Sequence, residues 1–182
     1  MNWYCEVAPG HPFHGPYHDR EYGFPIDDER ALFERLALEI FQAGLSWLIV
    51  LKKRPALVAA FDGFDVDVVA EYGEAERERL LADAAIIRNR RKIDAIIENA
   101  RRLRQLRRDY GSFARWISAH HPRPKNEWVA LFRRTFKFMG GEVVNEFLMS
   151  IGILPGAHNP QCPVHARILA ARPPWMHNDG GG

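Results

Sequence analysis

The sequence predicts an all-α fold on three observations. Apolar residues recur at helical spacing through most of the chain, as in Leu32, Leu36 and Ile40. No segment alternates apolar and polar residues as a half-buried strand would. Residues that open or close helices, among them Gly44, Ser46 and Asp65, stand where the apolar period breaks.

Taken in order, residues 1–26 are rich in Pro, Gly, His and aromatic rings, show no period, and read as an irregular arm. A helix is expected from Asp28 to Ala43, closed by Gly44, followed by a second over Trp47–Lys53 capped by Ser46. Pro55 fits the first turn of a further helix to Phe61, and Asp65 can cap a short one through Tyr72. Glu74–Asp83 carries the pattern of another. Ile93, Ile96, Ile97 and Ala100 mark the apolar face of a long helix from Arg91 to Arg108. Phe113–His120, Glu127–Phe138 and Glu142–Ile151 complete the set, and Pro173–Gly182 reads as a loose tail. With 182 residues, 47% of them hydrophobic, the chain suits one domain (1–182) with room for two lobes.

Composition narrows the function. No run approaches the roughly 20 apolar residues of a membrane span. The start MNWYCEV lacks a basic segment followed by an apolar one, so a cytoplasmic protein is expected. A net charge of only +2 means that any grip on nucleic acid must come from local clusters. A reducing compartment argues against a disulfide between the two cysteines, Cys5 and Cys162, and makes a metal site the competing use.

Chemistry concentrates in four places. Glu39 lies on the stripe of Leu32 and Leu36, beside a tight turn and Trp47, where a pocket would form; an ordinary surface pair with Arg35, four residues back, is the plainer alternative. Cys5, His18, His158 and Cys162 offer two thiolates and two imidazoles, the donors of a closed tetrahedral zinc site, although free thiols and surface imidazoles explain them as well. From Arg88 to Arg108 there are nine Lys or Arg against Asp94 and Glu98. A solvated helix face accounts for Arg101–Arg108, whereas Arg88, Arg90, Arg91 and Lys92 sit at a helix–turn–helix junction suited to phosphate. Tyr17, Tyr22 and Trp47 are either core rings or platforms on which a base could stack.

Together these segments resemble the DNA-3-methyladenine glycosylase I family, a zinc-containing branch of the helix–hairpin–helix glycosylases. The matching stretches are PYHDREYGFP (16–25), LEIFQAGLSWLIVLKKR (38–54), IIRNRRKIDAIIENA (86–100) and FKFMGG (136–141), followed by the His158/Cys162 loop. The resemblance implies a helix–hairpin–helix fold whose chain ends are tied by one structural Zn2+ on Cys5, His18, His158 and Cys162. It implies a monofunctional hydrolase that excises 3-methyladenine from double-stranded DNA, acting as a monomer. Glu39 would then hydrogen-bond the flipped base, Tyr17, Trp47 and Tyr22 would bind it, and Gln42, Gly44 and Leu45 would press into the duplex. Arg88, Arg90 and Lys92 would meet the DNA backbone. Val7, Tyr22, Ala85, Arg91, Asn145 and Glu146 depart from the family's usual residues. Those departures motivate the alternative of a non-catalytic, zinc-stapled reader of damaged DNA.

Overall fold

The computed structural model describes residues 3–177, and all regular structure among them is helical. The arm that reads as irregular contains two helices, α1 (Tyr4–Val7) and α2 (His14–Arg20). Their brevity, together with Pro16 and Gly15, hides any period. Gly15 lets them approach, since a Cβ there would lie 3.3 Å from the Ala8 carbonyl oxygen.

Helix α3 (Glu29–Gln42) is capped by Asp28, whose carboxylate accepts from the Ala31 amide at 2.9 Å. Its apolar stripe is fully buried: Leu32, Leu36 and Ile40 are at most 1% exposed. Helix α4 runs unbroken from Trp47 to Ala60, so the expected break before Pro55 does not occur. Pro55 forfeits one intrahelical bond, but Val50 and Leu51 before it and Leu57 and Ala60 after it bury along one helix. That burial holds the axis through the proline.

A 3-10 turn at Asp62–Phe64 leads to α5 (Val66–Ala70), capped by Asp65 as expected. Helices α6 (Glu74–Ala82) and α7 (Arg90–Tyr110) are joined by residues 83–89. Then come α8 (Phe113–His120), α9 (Lys125–Thr135) and α10 (Gly141–Ser150). Helix α11 (Pro163–Ala170), with Pro163 in its first turn, went unexpected because its apolar face is short. Of the expected loose tail, Pro174–Met176 forms a 3-10 turn, and the Trp175 amide donates to the Gly152 carbonyl; residues 178–182 lie outside the described residues.

The main core joins α3, α4, α5 and α7–α10 around Phe33, Phe41, Phe61, Phe113, Trp128, Phe132 and Phe147. A second cluster holds Tyr4, Ala8, Tyr17, Tyr22, Leu51 and Ala157, and a third holds Cys162, Val164 and Ile168. These smaller clusters bring the two ends of the chain together. Gly23 is decisive there: its φ is +91°, and a Cβ would meet that of Ala157 at 2.8 Å. Its amide donates to the Ser150 carbonyl at 2.8 Å, fixing the segment after α2 onto the end of α10. No described helix is long and apolar enough to cross a membrane.

Candidate active site and metal centre

The last turn of α3 carries Glu39, which is 5% exposed, so the surface pair with Arg35 is not what forms. Arg35 is itself buried: its guanidinium donates to the Ser150 carbonyl at 3.0 Å, lies 3.5 Å from Glu21, and sits over the Tyr17 ring at 5.1 Å. Burial, and then the charge of Glu146, push the Glu39 carboxyl up to about 8, with Arg35 pulling the other way. A carboxylate this deep without a close cation lacks the partner that usually repays its desolvation.

The Glu39 charge acts on Tyr4, Tyr17 and Tyr22, which form one aromatic cluster with Trp47 packed against it. Tyr17 and Trp47 have ring centroids 5.1 Å apart, and Tyr17 and Tyr22 5.7 Å apart. Tyr4 closes the cluster, 5.5 Å from Tyr22. The Tyr17 hydroxyl is buried without a protein partner. Burial drives the Tyr17 hydroxyl well above its usual range, and the Glu39 charge adds to that. Tyr22 donates from its hydroxyl to Glu146 at 3.1 Å. Tyr4 and Glu146 are the members that sequence reasoning did not assign: Tyr4 lay within the arm without a period, and Glu146 stood out only as a departure.

The turn after α3 is set by local bonds. Gly44 adopts φ +79°, the Leu45 amide donates to the Gln42 carbonyl at 2.8 Å, and the Gln42 side-chain amide donates to the Leu45 carbonyl at 3.2 Å. Ser46 then caps α4, accepting from the Ile49 amide. Gly44 is exposed, with Gln42 and Leu45 half-buried on the same turn.

The basic residues divide. Arg88, Arg90 and Arg91 are exposed at the start of α7, where Asn89 caps the helix through the Lys92 amide. Arg90 also pairs with Glu74 at 3.1 Å. Lys92 contradicts its assignment to the DNA backbone. It is 5% exposed, and its ammonium donates to the Phe41 and Ala43 carbonyls at 2.7 and 2.6 Å, closing the C-terminal end of α3. Farther along α7, Arg101 bonds the Ala70 and Tyr72 carbonyls, Arg102 pairs with Glu98, Arg104 with Glu71, and Arg107 with Glu29 and Asp67. Apart from exposed Arg108, the arginines of that half are taken up by neighbouring acids and carbonyls, as a structural face requires. Buried Asn99 bonds both the amide and the carbonyl of Lys137, at 2.7 and 3.1 Å, and so seats the FKFMGG segment from which α10 starts.

At the meeting of the chain ends, the donor atoms of Cys5, His18, His158 and Cys162 all lie within 4.8 Å of one another. The Cys5 and Cys162 sulfurs are 3.6 and 3.7 Å from His158 Nδ1, and Cys162 Sγ is 3.7 Å from His18 Nε2. A tetrahedral ion with bonds of roughly 2.0–2.3 Å requires donor separations of about 3.3–3.8 Å. Outer partners orient both imidazoles: His158 Nε2–H donates to the Tyr22 carbonyl at 2.6 Å, and His18 Nδ1 faces Asp19 at 2.7 Å. Burial pushes His158 down to about 4, keeping it neutral, the form that ligates. The donor set therefore fits a metal ion.

Comparison with known proteins places this architecture. Residues 7–131 match the family described as methyladenine glycosylase. The chain is 38% identical over 169 residues to DNA-3-methyladenine glycosylase 1 of Escherichia coli (strain K12), covering 82% of this chain and 90% of that protein. The solved structure of 3-methyladenine DNA glycosylase I from Staphylococcus aureus aligns with a TM-score of 0.78 at 32% identity, covering 88% of this chain and 95% of that one. A variant of 3-methyladenine DNA glycosylase I in complex with 3-methyladenine aligns with a TM-score of 0.78 at 31% identity, over 90% and 97% of the two chains. The fold is thus that of helical DNA base glycosylases. The chain belongs to the methyladenine glycosylase family.

Proposed function

We infer that this protein is a monofunctional DNA-3-methyladenine glycosylase, which hydrolyses the N-glycosidic bond of the alkylated base in DNA and leaves an abasic site. The observation that carries this reading is Glu39: a buried carboxyl pushed up to about 8, whose charge acts on Tyr4, Tyr17 and Tyr22 of one aromatic cluster, on a chain of this family.

Methylation at N3 makes the adenine of the lesion cationic, and a cation is what a buried carboxylate lacks. As the base enters, its charge favours ionised Glu39, which then accepts from the exocyclic amine. Tyr17 and Trp47 would stack on the base, a contact worth about 0.5–2 kcal/mol for a cation over an aromatic face. The bonding pair leaves with the base and quenches its charge. Water adds to the sugar carbon, losing a proton, and the transition state has oxocarbenium character. Flipping the nucleotide costs a few kcal/mol, least for a lesion that pairs badly. The Gln42–Leu45 turn would fill the gap left in the duplex.

Two further features support the assignment. Lys92 is used by the α3 carbonyls, and Lys53 bonds the Ala85 carbonyl at 3.3 Å, so neither is poised as an amine nucleophile. The exposed Arg88 and Arg90, with the amides opening α7, suit a helix–hairpin–helix contact to phosphate. We assign the ion at Cys5, His18, His158 and Cys162 as zinc, which in a closed four-ligand site fastens the chain ends and does no chemistry. The partner is double-stranded DNA carrying alkylated bases, met by a cytoplasmic monomer.

The test is Glu39→Gln on methylated duplex. Excision of 3-methyladenine should fall at least about tenfold while the helical fold persists. An unchanged rate would overturn the role of Glu39.

A further inference from the structure

Helix α10 packs against α3, and its Glu146 meets Tyr22 of the aromatic cluster while its charge acts on Glu39. The Tyr22 hydroxyl donates to Glu146 Oε2 at 3.1 Å; Tyr22 lies 5.7 Å from Tyr17, and Tyr17 5.1 Å from Trp47. Glu146 is thus one hydrogen bond from the ring system that would hold the base. Resting on the glycosylase reading above, we propose that Glu146 is a specificity-determining residue, a second carboxylate that makes the base site select positively charged bases over neutral ones of the same shape.

Charge balance separates the two classes of base. Two carboxyls near one another in a poorly solvated site cannot both ionise cheaply, so a proton is retained while no cation is present. Burial, followed by the charge of Glu146, raises Glu39; burial likewise raises Glu146. Arg35 acts on Glu39, which in turn acts on the Tyr4, Tyr17 and Tyr22 hydroxyls, while Tyr22, Glu142 on the same helix and Lys125 from α9 act on Glu146. A cationic base relieves the repulsion and gains from both charges. A neutral base gains from neither, and its entry dehydrates carboxyls that remain uncompensated. Glu146 also fastens Tyr22, but an amide oxygen would accept that hydrogen bond as well, so charge and positioning separate experimentally.

The experiment compares binding of 3,9-dimethyladeninium, a fixed cation whose 9-methyl stands for the sugar bond, with neutral 9-methyladenine, on the metal-loaded protein. Glu146→Gln should reduce the preference for the cation by about tenfold, through weaker cation binding, with 9-methyladenine bound as before or tighter. In the same variant, the rise of kcat/KM with pH on methylated duplex should move to lower pH, because Glu39 is no longer pushed up by its neighbour. Glu146→Asp, which keeps the charge but draws the acceptor back from Tyr22, should leave the preference within about twofold. An unchanged preference in Glu146→Gln would overturn the proposal. So would an equal loss in Glu146→Asp, which would assign the effect to positioning. A wild-type protein that releases no 3-methyladenine would instead sink the glycosylase reading, and the binding ratio would still report on Glu146.

Discussion

Glu39 sets an opposition between stability and activity within one side chain. Its carboxyl rises from an ordinary value near 4.5 to about 8 in the fold. Below the lower value both folded and unfolded chains hold the proton, and burial of the neutral acid is tolerated. Between the two values the unfolded chain releases a proton that the folded chain keeps, so stability falls as pH climbs through this window. Glu39→Gln should therefore match the wild type in urea unfolding at pH 4 and exceed it at pH 8.5 by on the order of a few kcal/mol. Equal stability of the two proteins at both pH values would show that Glu39 is solvated. The same ionisation predicts that kcat/KM on methylated duplex rises with pH through about 8, and that Glu39→Gln removes the rise. The stripe of Leu32 and Leu36 made a buried Glu39 one of two readings, beside a surface pair with Arg35. That Arg35 is buried as well was not legible, because its partners, Ser150 and Glu21, come from distant segments.

Among the helices, the α6–α7 junction shows where charge counting misleads. Lys92 belongs to the same basic run as Arg88, yet it faces inward to close α3, since an ammonium on a long stem reaches whichever carbonyls the fold presents. Lys92→Met should destabilise the protein by about 1–3 kcal/mol, from carbonyls left without a donor. It should leave the salt dependence of duplex binding unaltered. Arg88→Ala should do the reverse, sparing stability and lowering the salt slope by about one. A loss of slope in Lys92→Met would return that residue to the DNA interface. Helices α3 and α7 could be read from the sequence to within a few residues because their apolar periods persist for several turns, whereas Pro55 wrongly divided α4. The helices of the arm and α11 could not, being too short to show a period and being held by packing between the chain ends.

At the scale of the molecule, the two ends meet through the Cys/His cluster, the His158–Tyr22 and Arg167–Asp19 hydrogen bonds, and the packing of Gly23 against Ala157. If zinc fastens them, one metal ion should be recovered per chain and should be absent from Cys162→Ser. Chelation should lower the melting temperature and expose the aromatic cluster of Tyr4, Tyr17 and Tyr22 to solvent. A metal-free protein with unchanged melting and two reactive thiols would refute the assignment. Spacing alone left this site ambiguous, because 153 residues separate Cys5 from His158 and only the resemblance paired the halves.

The most direct test of the account is chromatography of the bases that the purified protein releases from methylated duplex DNA. Free 3-methyladenine should appear in solution, with the DNA left carrying abasic sites. Damaged duplex that is bound while no base is released would contradict it and make the protein a reader of lesions.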